Sequence, residues 1–465
     1  MKKKYFRLVG IKTAKLLCCA MFYPVIVNAQ SLEQAVAFTF DTHPELRVAY
    51  SRFKVSEKQI EQAESGYWPT IDLTAGIGYE YTDSSITRRQ IGNQDGTAEL
   101  ERREIGLSLK QELFSGYHTQ SEVERSRYTT SADQWRLLGI AEDLALKVSK
   151  VYIDLIKAEQ LVALAEKNLA AHQEIYEQIK QRTDSGFGSS ADLSQINGRL
   201  AKAYSNLIAS KNNHLDVQVT FYREIAQRPN NLVIPYPDAS LLPKTEAEGL
   251  RLTLHNHPVI KSSASDIKAA RAQYRSAKSN YYPKVSFELN ANFNDNLDGQ
   301  DGSFGIPDVG GSNDEVVAML RFSYNLFSGG KNDAYAKETA YKIIEAKDLN
   351  SNVHRQVTEG FILSWNAFEQ LNLQKKYIKM HVISSKDTQS NYKEQFKVGQ
   401  RSLLDLLDTE NELYQARRDF LDAEFTEISA QYRILHAMGL LVDSLRVTRP
   451  NSWLGEKQFD GGVTQ

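Results

Sequence analysis

The chain has 465 residues, of which 41% are hydrophobic and 25% are charged, so it has ample material for a large fold. Its formal net charge is −2 and no basic face stands out in the sequence, so a nucleic-acid partner is not expected. Its two cysteines, Cys18 and Cys19, both lie near the start. A disulfide scaffold in the rest of the chain is therefore excluded.

Residues 1–29 have the pattern of a secretory signal peptide. Four basic residues among the first seven precede an apolar stretch, residues 16–27, that ends in small residues. This stretch is too short to span a bilayer and contains Pro24, which argues against a retained anchor. Cleavage before Gln30 removes six basic residues and changes the formal net charge from −2 to −8.

Four later segments alternate between apolar and polar residues, which predicts β-strands. Each has about the length of a tilted outer-membrane strand, with Tyr or Phe near the ends where aromatic girdles lie. A soluble antiparallel sheet with one wet face is the alternative. Polar loops within each pair, 82–103 and 294–314, are expected outside the cell. The four predicted strands are residues 70–81, 104–113, 284–293 and 316–326.

Each strand pair is followed by a long helical hairpin, predicted at residues 117–227 and 331–438. The first helix of each hairpin is nearly free of Pro and Gly and would be roughly 100 Å long. Apolar residues at spacings of three and four indicate coiled-coil packing. Glycine turns then reverse the chain. The turn residues are Gly186, Phe187 and Gly188 in the first hairpin, and Val398, Gly399 and Gln400 in the second.

The two halves of the chain repeat each other. Nine of the 27 positions from His43 to Pro69 are identical to those from His257 to Pro283, well above chance. Leu-Phe-Ser-Gly also occurs before both long helices. A duplicated unit indicates a symmetric or pseudo-symmetric assembly. The predicted organisation is a first repeat at 30–228, a Pro-rich connector at 229–243, a second repeat at 244–445 and a polar tail at 446–465.

A shorter helix precedes each strand pair. The first opens with Thr42-His43-Pro44-Glu45, which predicts a capping box between Thr42 and Glu45. His257 and Pro258 repeat the helix start, and a later proline ends each helix before the strands.

No motif indicates an enzyme, a cofactor or a metal site. Ser328 and Lys331 fit a Ser-x-x-Lys pattern, but its companion motifs are missing and the repeat counterpart lacks the lysine. The 294–305 segment weakly resembles a calcium loop, but Gly305 occupies the position where a bidentate Glu is needed. His255 and His257 could form a metal pair. The remaining histidines are scattered, so a helix-start role is preferred.

The order of elements resembles the TolC family of outer-membrane efflux and type I secretion channels, over essentially the whole mature chain. The resemblance implies a mainly α fold with β, in which long coiled-coil hairpins form an α-barrel tunnel and four strands per chain give twelve in the membrane β-barrel of a homotrimer. Independently, four strands leave open edges in lipid, so several chains must combine. The features that carry the resemblance are the two His-Pro helix starts, Tyr-Trp-Pro and Tyr-Tyr-Pro before the strands, the twin Leu-Phe-Ser-Gly junctions, and Phe396-Lys397-Val398-Gly399 with Ser402-Leu403-Leu404-Asp405-Leu406-Leu407-Asp408.

The resemblance also implies a periplasmic gate at the two helical turns, where inward aspartates ring the pore and polar links hold it closed. The matching residues are Asp405 and Asp408 for the ring, Arg401 for the linking arginine and Asp192 for its acidic partner. Phe396 and Ala191 stand where the family has a tyrosine and a threonine. The polar links that hold the gate closed are therefore expected to be weaker or to involve different residues. Alternatively, the two aspartates are ordinary helix-start acids favoured by the helix dipole.

The implied function is export across the periplasm and the outer membrane. The implied partners are outer-membrane lipid, a periplasmic adaptor at the two turns, and an inner-membrane transporter of the ABC or RND type. General resemblance favours type I protein secretion, and multidrug efflux is the alternative within the family. A secreted coiled-coil interaction protein is the alternative of a different class.

Overall fold

The computed structural model describes residues 29–85, 87–89, 97–300 and 309–455, without the side chains of 298–300 and 309. The predicted signal peptide up to residue 28 and the end of the tail lie outside this part. In chain order the elements are α1 (Leu32–Thr42), α2 (Pro44–Glu64), β1 (Thr70–Asp83), β2 (Thr97–Phe114), α3 (His118–Asp184), α4 (Ser190–Ile225), α5 (Glu246–Asn256), α6 (Pro258–Lys278), β3 (Lys284–Gln300), β4 (Val309–Ser323), α7 (Lys331–Lys397), α8 (Leu403–Ala437) and α9 (Leu441–Ser444).

The four strands form one antiparallel sheet in the order β1-β2-β3-β4. The register places apolar residues of all four strands side by side on one face. One such row is Ile71, Leu109, Leu289 and Ala318. This face is largely uncovered in a single chain, and Ile77 is 89% exposed. β1 and β4 are the two edges of the sheet.

The strands differ in length from the prediction, because backbone pairing continues beyond the apolar rows. β2 begins at Thr97 rather than at 104, and β3 continues to Gln300 rather than ending at 293. Much of both predicted loops is therefore strand. Arg102 supports this extension, because it lies 3.0 Å from Glu80 and 3.1 Å from Glu104. The loop residues 86, 90–96 and 301–308 lie outside the described part.

The fourth strand is shifted toward the N-terminus relative to the prediction. β4 runs from Val309 to Ser323 instead of 316–326. Ser323 pairs with Lys284, the first residue of β3, so residues 324–326 have no partner strand. Alternation of side chains alone could not reveal where the partner begins.

Each long hairpin consists of two unbroken helices. α3 and α7 have 67 residues each, and they return through α4 and α8 with 36 and 35 residues. The main core lies around the middle of α3, where it packs against α1, α2 and α8. Its large buried side chains include Phe53, Leu137, Tyr152, Phe221, Phe361, Phe425 and Tyr432.

The prediction of a capping box at Thr42 is wrong. Thr42 is the last residue of α1, and the cap of α2 is His43, whose Nδ1 accepts a hydrogen bond from the Glu45 N–H at 3.3 Å. His257 caps α6 in the same way, accepting from Val259 at 3.3 Å. Burial lowers the pKa of His257 to about 4, so the ring stays neutral and keeps its acceptor nitrogen.

Packing also fixes two segments that had no clear periodicity. Trp453, in the tail predicted to be polar, is buried and its ring centroid lies 5.8 Å from that of Phe40. In the connector, the Val233 N–H donates to the Tyr152 hydroxyl at 3.0 Å, and this hydroxyl donates to the Gln30 carbonyl at 2.7 Å. Isolated anchors of this kind are not visible in a sequence pattern.

Candidate functional site

The first helical turn joins α3 to α4 at the end of the first hairpin. Gly186 has a φ of +78°, a conformation that favours glycine, and a Cβ at Gly188 would lie 2.6 to 2.9 Å from atoms of Thr183. The Ser189 hydroxyl caps α4 by accepting from the Ala191 N–H at 3.1 Å. Between them, Phe187 is 91% exposed. The turn therefore presents an aromatic ring at its tip.

The second turn joins α7 to α8 and has a similar construction. Gly399 has a φ of +77°, and Val398 beside it is 71% exposed. Ser402 and Asp405 form a capping box at the start of α8, with hydrogen bonds of 3.2 and 3.3 Å between side chains and backbone N–H groups. Asp405 thus has the structural role of a helix-start acid within one chain.

A small apolar cluster fastens the two hairpins together just behind the turns. Phe396 belongs to it and is 6% exposed, and the Arg182 guanidinium lies 5.0 Å from its ring centroid. This is within the range of a cation–π contact. Phe396, which has no tyrosine hydroxyl, is therefore held by apolar packing and by its contact with a cation. The members of the cluster are Ile175, Ile179, Ile196, Phe396, Leu403, Leu406 and Leu407.

Two ion pairs also connect the hairpins near the turns. Arg199 of α4 lies 2.8 Å from Asp408 of α8, and Lys393 of α7 lies 3.1 Å from Glu174 of α3. All four side chains are at least partly exposed, so each pair contributes about 1 kcal/mol or less. Together, the two ion pairs favour the relative position of the two hairpins that the structure shows.

The predicted gate residues are only partly brought together within one chain. Asp408 pairs with Arg199, which the sequence analysis did not identify. Arg199 lies seven positions after Asp192 and therefore on the same face of α4. Arg401 donates to the Gln395 side chain at 2.9 Å and lies 4.2 Å from the Tyr392 ring centroid. Among the described residues, no contact joins Arg401 to Asp192.

In the part of the chain that the structure describes, no group of three or more His, Cys, Asp or Glu side chains could hold a metal ion. None of the helices there is both long enough and apolar enough to cross a membrane.

A sheet with an apolar outer face and two long hairpins that end in exposed glycine turns together define an outer-membrane channel with a helical extension. Residues 40–225 and 249–440 match the family model described as outer membrane efflux protein. The chain belongs to this family. The two matched segments correspond to the two repeats, and the predicted resemblance, fold class and outer-membrane location are confirmed. The family consists of channels, so the protein is not an enzyme.

Individual relatives agree with this assignment. The chain is 22% identical over 411 residues to the outer membrane efflux protein BepC of Brucella suis, covering 88% of this chain and 86% of that one. It is 22% identical over 437 residues to the outer membrane protein TolC of Escherichia coli, covering 89% and 83%. The solved structure of CusC matches with a TM-score of 0.74 at 15% identity, covering 88% and 91%. That structure supports the fold alone.

Proposed function

We propose that three copies of the chain assemble into one channel-tunnel, in which twelve strands close a β-barrel and the hairpins form a tunnel through the periplasm. The observation that supports this most directly is the open sheet, because β1 and β4 have unpaired edges. Unpaired backbone groups in lipid cost several kcal/mol each. Pairing β4 of one copy with β1 of the next removes both edges and closes the barrel.

The two turns are the proposed docking points for a periplasmic adaptor. Phe187 and Val398 are among the most exposed apolar side chains of the chain. They lie at the tips of the hairpins. The glycines allow the tight turns there, and the caps at Ser189 and Ser402 fix the start of the return helices. An exposed aromatic side chain in a rigid turn is a suitable anchor for a protein partner.

The same end of the tunnel is the proposed gate. Three copies of Asp405 and Asp408 would form rings of carboxylates, and Arg401 of each copy would link to Asp192 of its neighbour. Rings of carboxylates favour cations and make a pore sensitive to multivalent ions. The contacts of Arg182 with Phe396 and of Arg199 with Asp408 support a closed state in which each chain holds its own two hairpins together.

The exported substrate is proposed to be a protein, in type I secretion with an ABC-type transporter. Multidrug efflux with an RND-type transporter is the second candidate, and the family's description as efflux proteins favours it. Affinity purification of the tagged chain after cross-linking in intact cells, followed by mass spectrometry, distinguishes the two. Recovery of an RND transporter without an ABC transporter would overturn the secretion proposal.

We expect the double variant Asp405→Asn and Asp408→Asn to lose cation preference and to be blocked less by multivalent cations from the periplasmic side. Asparagine keeps an oxygen that can cap the helix but removes the charge, so the trimer should assemble normally. Planar-bilayer recordings measure both properties. Arg199→Ala is the matched control, because it breaks the ion pair with Asp408 yet leaves both carboxylates in place. Unchanged ion preference in the double variant would show that the two aspartates have a purely structural role.

A further inference from the structure

A cavity of about 390 Å³ lies between the middle of α3 and the second half of α8. Each helix lines it with one stripe of residues, which lie three or four positions apart. Its floor is apolar and belongs to the main core. The floor residues Ile153, Phe425 and Tyr432 are each 1% exposed, so the cavity has a well-packed hydrophobic base.

The rim of the cavity carries more positive than negative charge. The charged residues among the described residues that line it are the cations Lys150, Lys157 and Arg433 and the acid Asp154. Lys157 forms an ion pair with Asp422, whereas Lys150 and Arg433 have no ion-pair partner in the described part of the chain. Burial raises the pKa of Asp154, although Lys150 and Lys157 act in the opposite direction. Two cations at the rim are therefore free to bind an anion.

These two cations are not required by the architecture of the repeat. α7 and α8 begin 213 residues after α3 and α4. At this offset the counterpart of Lys150 is Leu363, and the counterpart of Arg433 is Thr220. The second repeat thus forms an equivalent hairpin without the two charges, which favours a role for them in binding rather than in folding.

The cavity lies on the side of α3 that faces away from the connector. On the connector side, the Tyr152 hydroxyl contacts the Gln30 carbonyl at 2.7 Å and the Val233 N–H at 3.0 Å. Lys150 and Asp154 are each two positions from Tyr152, so they project in nearly the opposite direction. The connector and the segment before α1 would obstruct a conduit if they lay inside it. The cavity therefore faces the interior of the proposed tunnel.

We propose that this cavity binds a small amphipathic anion, a sulfonate or carboxylate with an apolar body, on the inner wall of the tunnel. The acidic group contacts Lys150 and Arg433, and the apolar body covers the floor, as in other sites where a few polar groups orient a ligand on an apolar surface. The hydroxyls of Ser149 and Ser429 donate to carbonyls of their own helices at 2.7 and 2.9 Å, so the cations recognise the acid. The inference rests on the channel-tunnel proposed above and names a class of molecule that it holds in transit.

Two dyes that differ by one acidic group test the charge requirement. Anilinonaphthalene sulfonate carries this group, and phenylnaphthylamine has the same rings without it. We expect the full protein with Lys150→Met and Arg433→Met to bind the sulfonate roughly tenfold more weakly in fluorescence titrations, because hydrogen bonds to charged groups are among the strong ones. Binding of phenylnaphthylamine should not change, since methionine keeps an apolar stem at both positions.

Lys167→Met with Arg418→Met is the matched control. It removes the same charges from the same two helices, roughly 25 Å nearer the turns. Both side chains are exposed and have no ion-pair partner within the described residues. The control should bind both dyes like the unmodified protein. Equal loss of sulfonate binding in the control, or no loss in the cavity variant, would overturn the site.

A cysteine in the cavity locates the bound dye directly, since no cysteine follows Cys19. Ser429 lines the cavity and is partly exposed. In Ser429→Cys, the sulfonate dye should slow modification by a negatively charged methanethiosulfonate several-fold. Ser205→Cys on α4, which is exposed and does not line the cavity, should react at the same rate with and without dye. An absence of protection at Ser429→Cys would contradict binding in this cavity.

Single-channel recordings separate this inference from the proposed function on which it rests. The sulfonate dye, added from the periplasmic side, should reduce the current of the unmodified channel and affect the Lys150→Met and Arg433→Met channel much less. Dye binding in the cavity without any change in current would overturn the location inside the tunnel, with the channel itself upheld. A protein that forms no channel would overturn the proposed function, even where the dye still protects Ser429→Cys.

Discussion

Leu289→Arg is expected to destabilise the folded protein by about 2–4 kcal/mol per chain, the cost of an arginine on the lipid face of a membrane strand near mid-bilayer. Leu289 lies in the middle of the apolar stretch of β3, from Val285 to Phe293. It pairs with Leu109 and Ala318, so its side chain belongs to an apolar row that crosses the sheet. In a trimer the cost occurs three times. Urea unfolding in lipid vesicles measures this loss of stability, with the folded fraction read from the heat-dependent gel mobility of the barrel.

Asn290→Arg is the control for this prediction. Asn290 is the next residue of the same strand and pairs with Ser108 and Val317, so its side chain lies on the opposite, lumen-facing side of the sheet. The same arginine should there have a much smaller effect because it remains in water. If both variants lost the same free energy of unfolding, the assignment of the lipid face would be wrong.

The second large effect concerns Glu142 of α3, which is buried against the start of α9. Its carboxylate accepts hydrogen bonds from the Leu441 N–H at 2.9 Å and the Val442 N–H at 3.3 Å. Burial raises its pKa from 4.5 to about 7, although Arg449 at 3.7 Å and His436 act in the opposite direction. The folded chain therefore binds more protons than the unfolded chain between pH 4.5 and 7.

We expect this group to stabilise the fold fully below pH 4.5 and to lose its contribution as the pH rises through 7. The shift corresponds to a change of about 3 kcal/mol. Chemical denaturation at pH 5 and at pH 8 measures it, and Glu142→Gln should make the difference between the two values smaller by about that amount.

The comparison with Glu142→Gln is necessary because His257 titrates nearby with the opposite sign. Its lowered pKa of about 4 makes stability rise with pH between about 4 and 6.5. The glutamine variant leaves His257 in place, so the change in slope isolates the carboxylate. An identical pH dependence in both proteins would contradict a protonated Glu142 in the fold.

Periodicity in the sequence predicted the long elements well because they repeat one local rule many times. The ends of α7, predicted at 331 and 397, agree with the structure, since a run nearly free of Pro and Gly and a glycine turn define them. β2 was predicted too short because hydrogen bonds between backbones continue where the lipid-facing pattern stops. The packing of Trp453 on Phe40 depends on residues more than four hundred positions apart, which no local pattern contains.

The candidate site was predicted only in outline for a similar reason. The turns follow from local chemistry, because Gly186 and Gly399 both adopt positive φ. The side-chain contacts behind the turns depend on which helices pack against each other. The family resemblance that implied an acidic ring did not indicate that Asp408 pairs with Arg199 or that Arg182 lies over Phe396.

The equal length of α3 and α7 constrains how such a protein can change size over time. A loss of seven residues from one of these helices alone would leave its turn about 10 Å short of the other. The two tips would then no longer lie level, and the apolar cluster that joins the two hairpins behind the tips would lose contacts. We therefore expect insertions and deletions in the long helices to be tolerated only as matched events in both repeats, so that the reach of the tunnel would vary in paired steps.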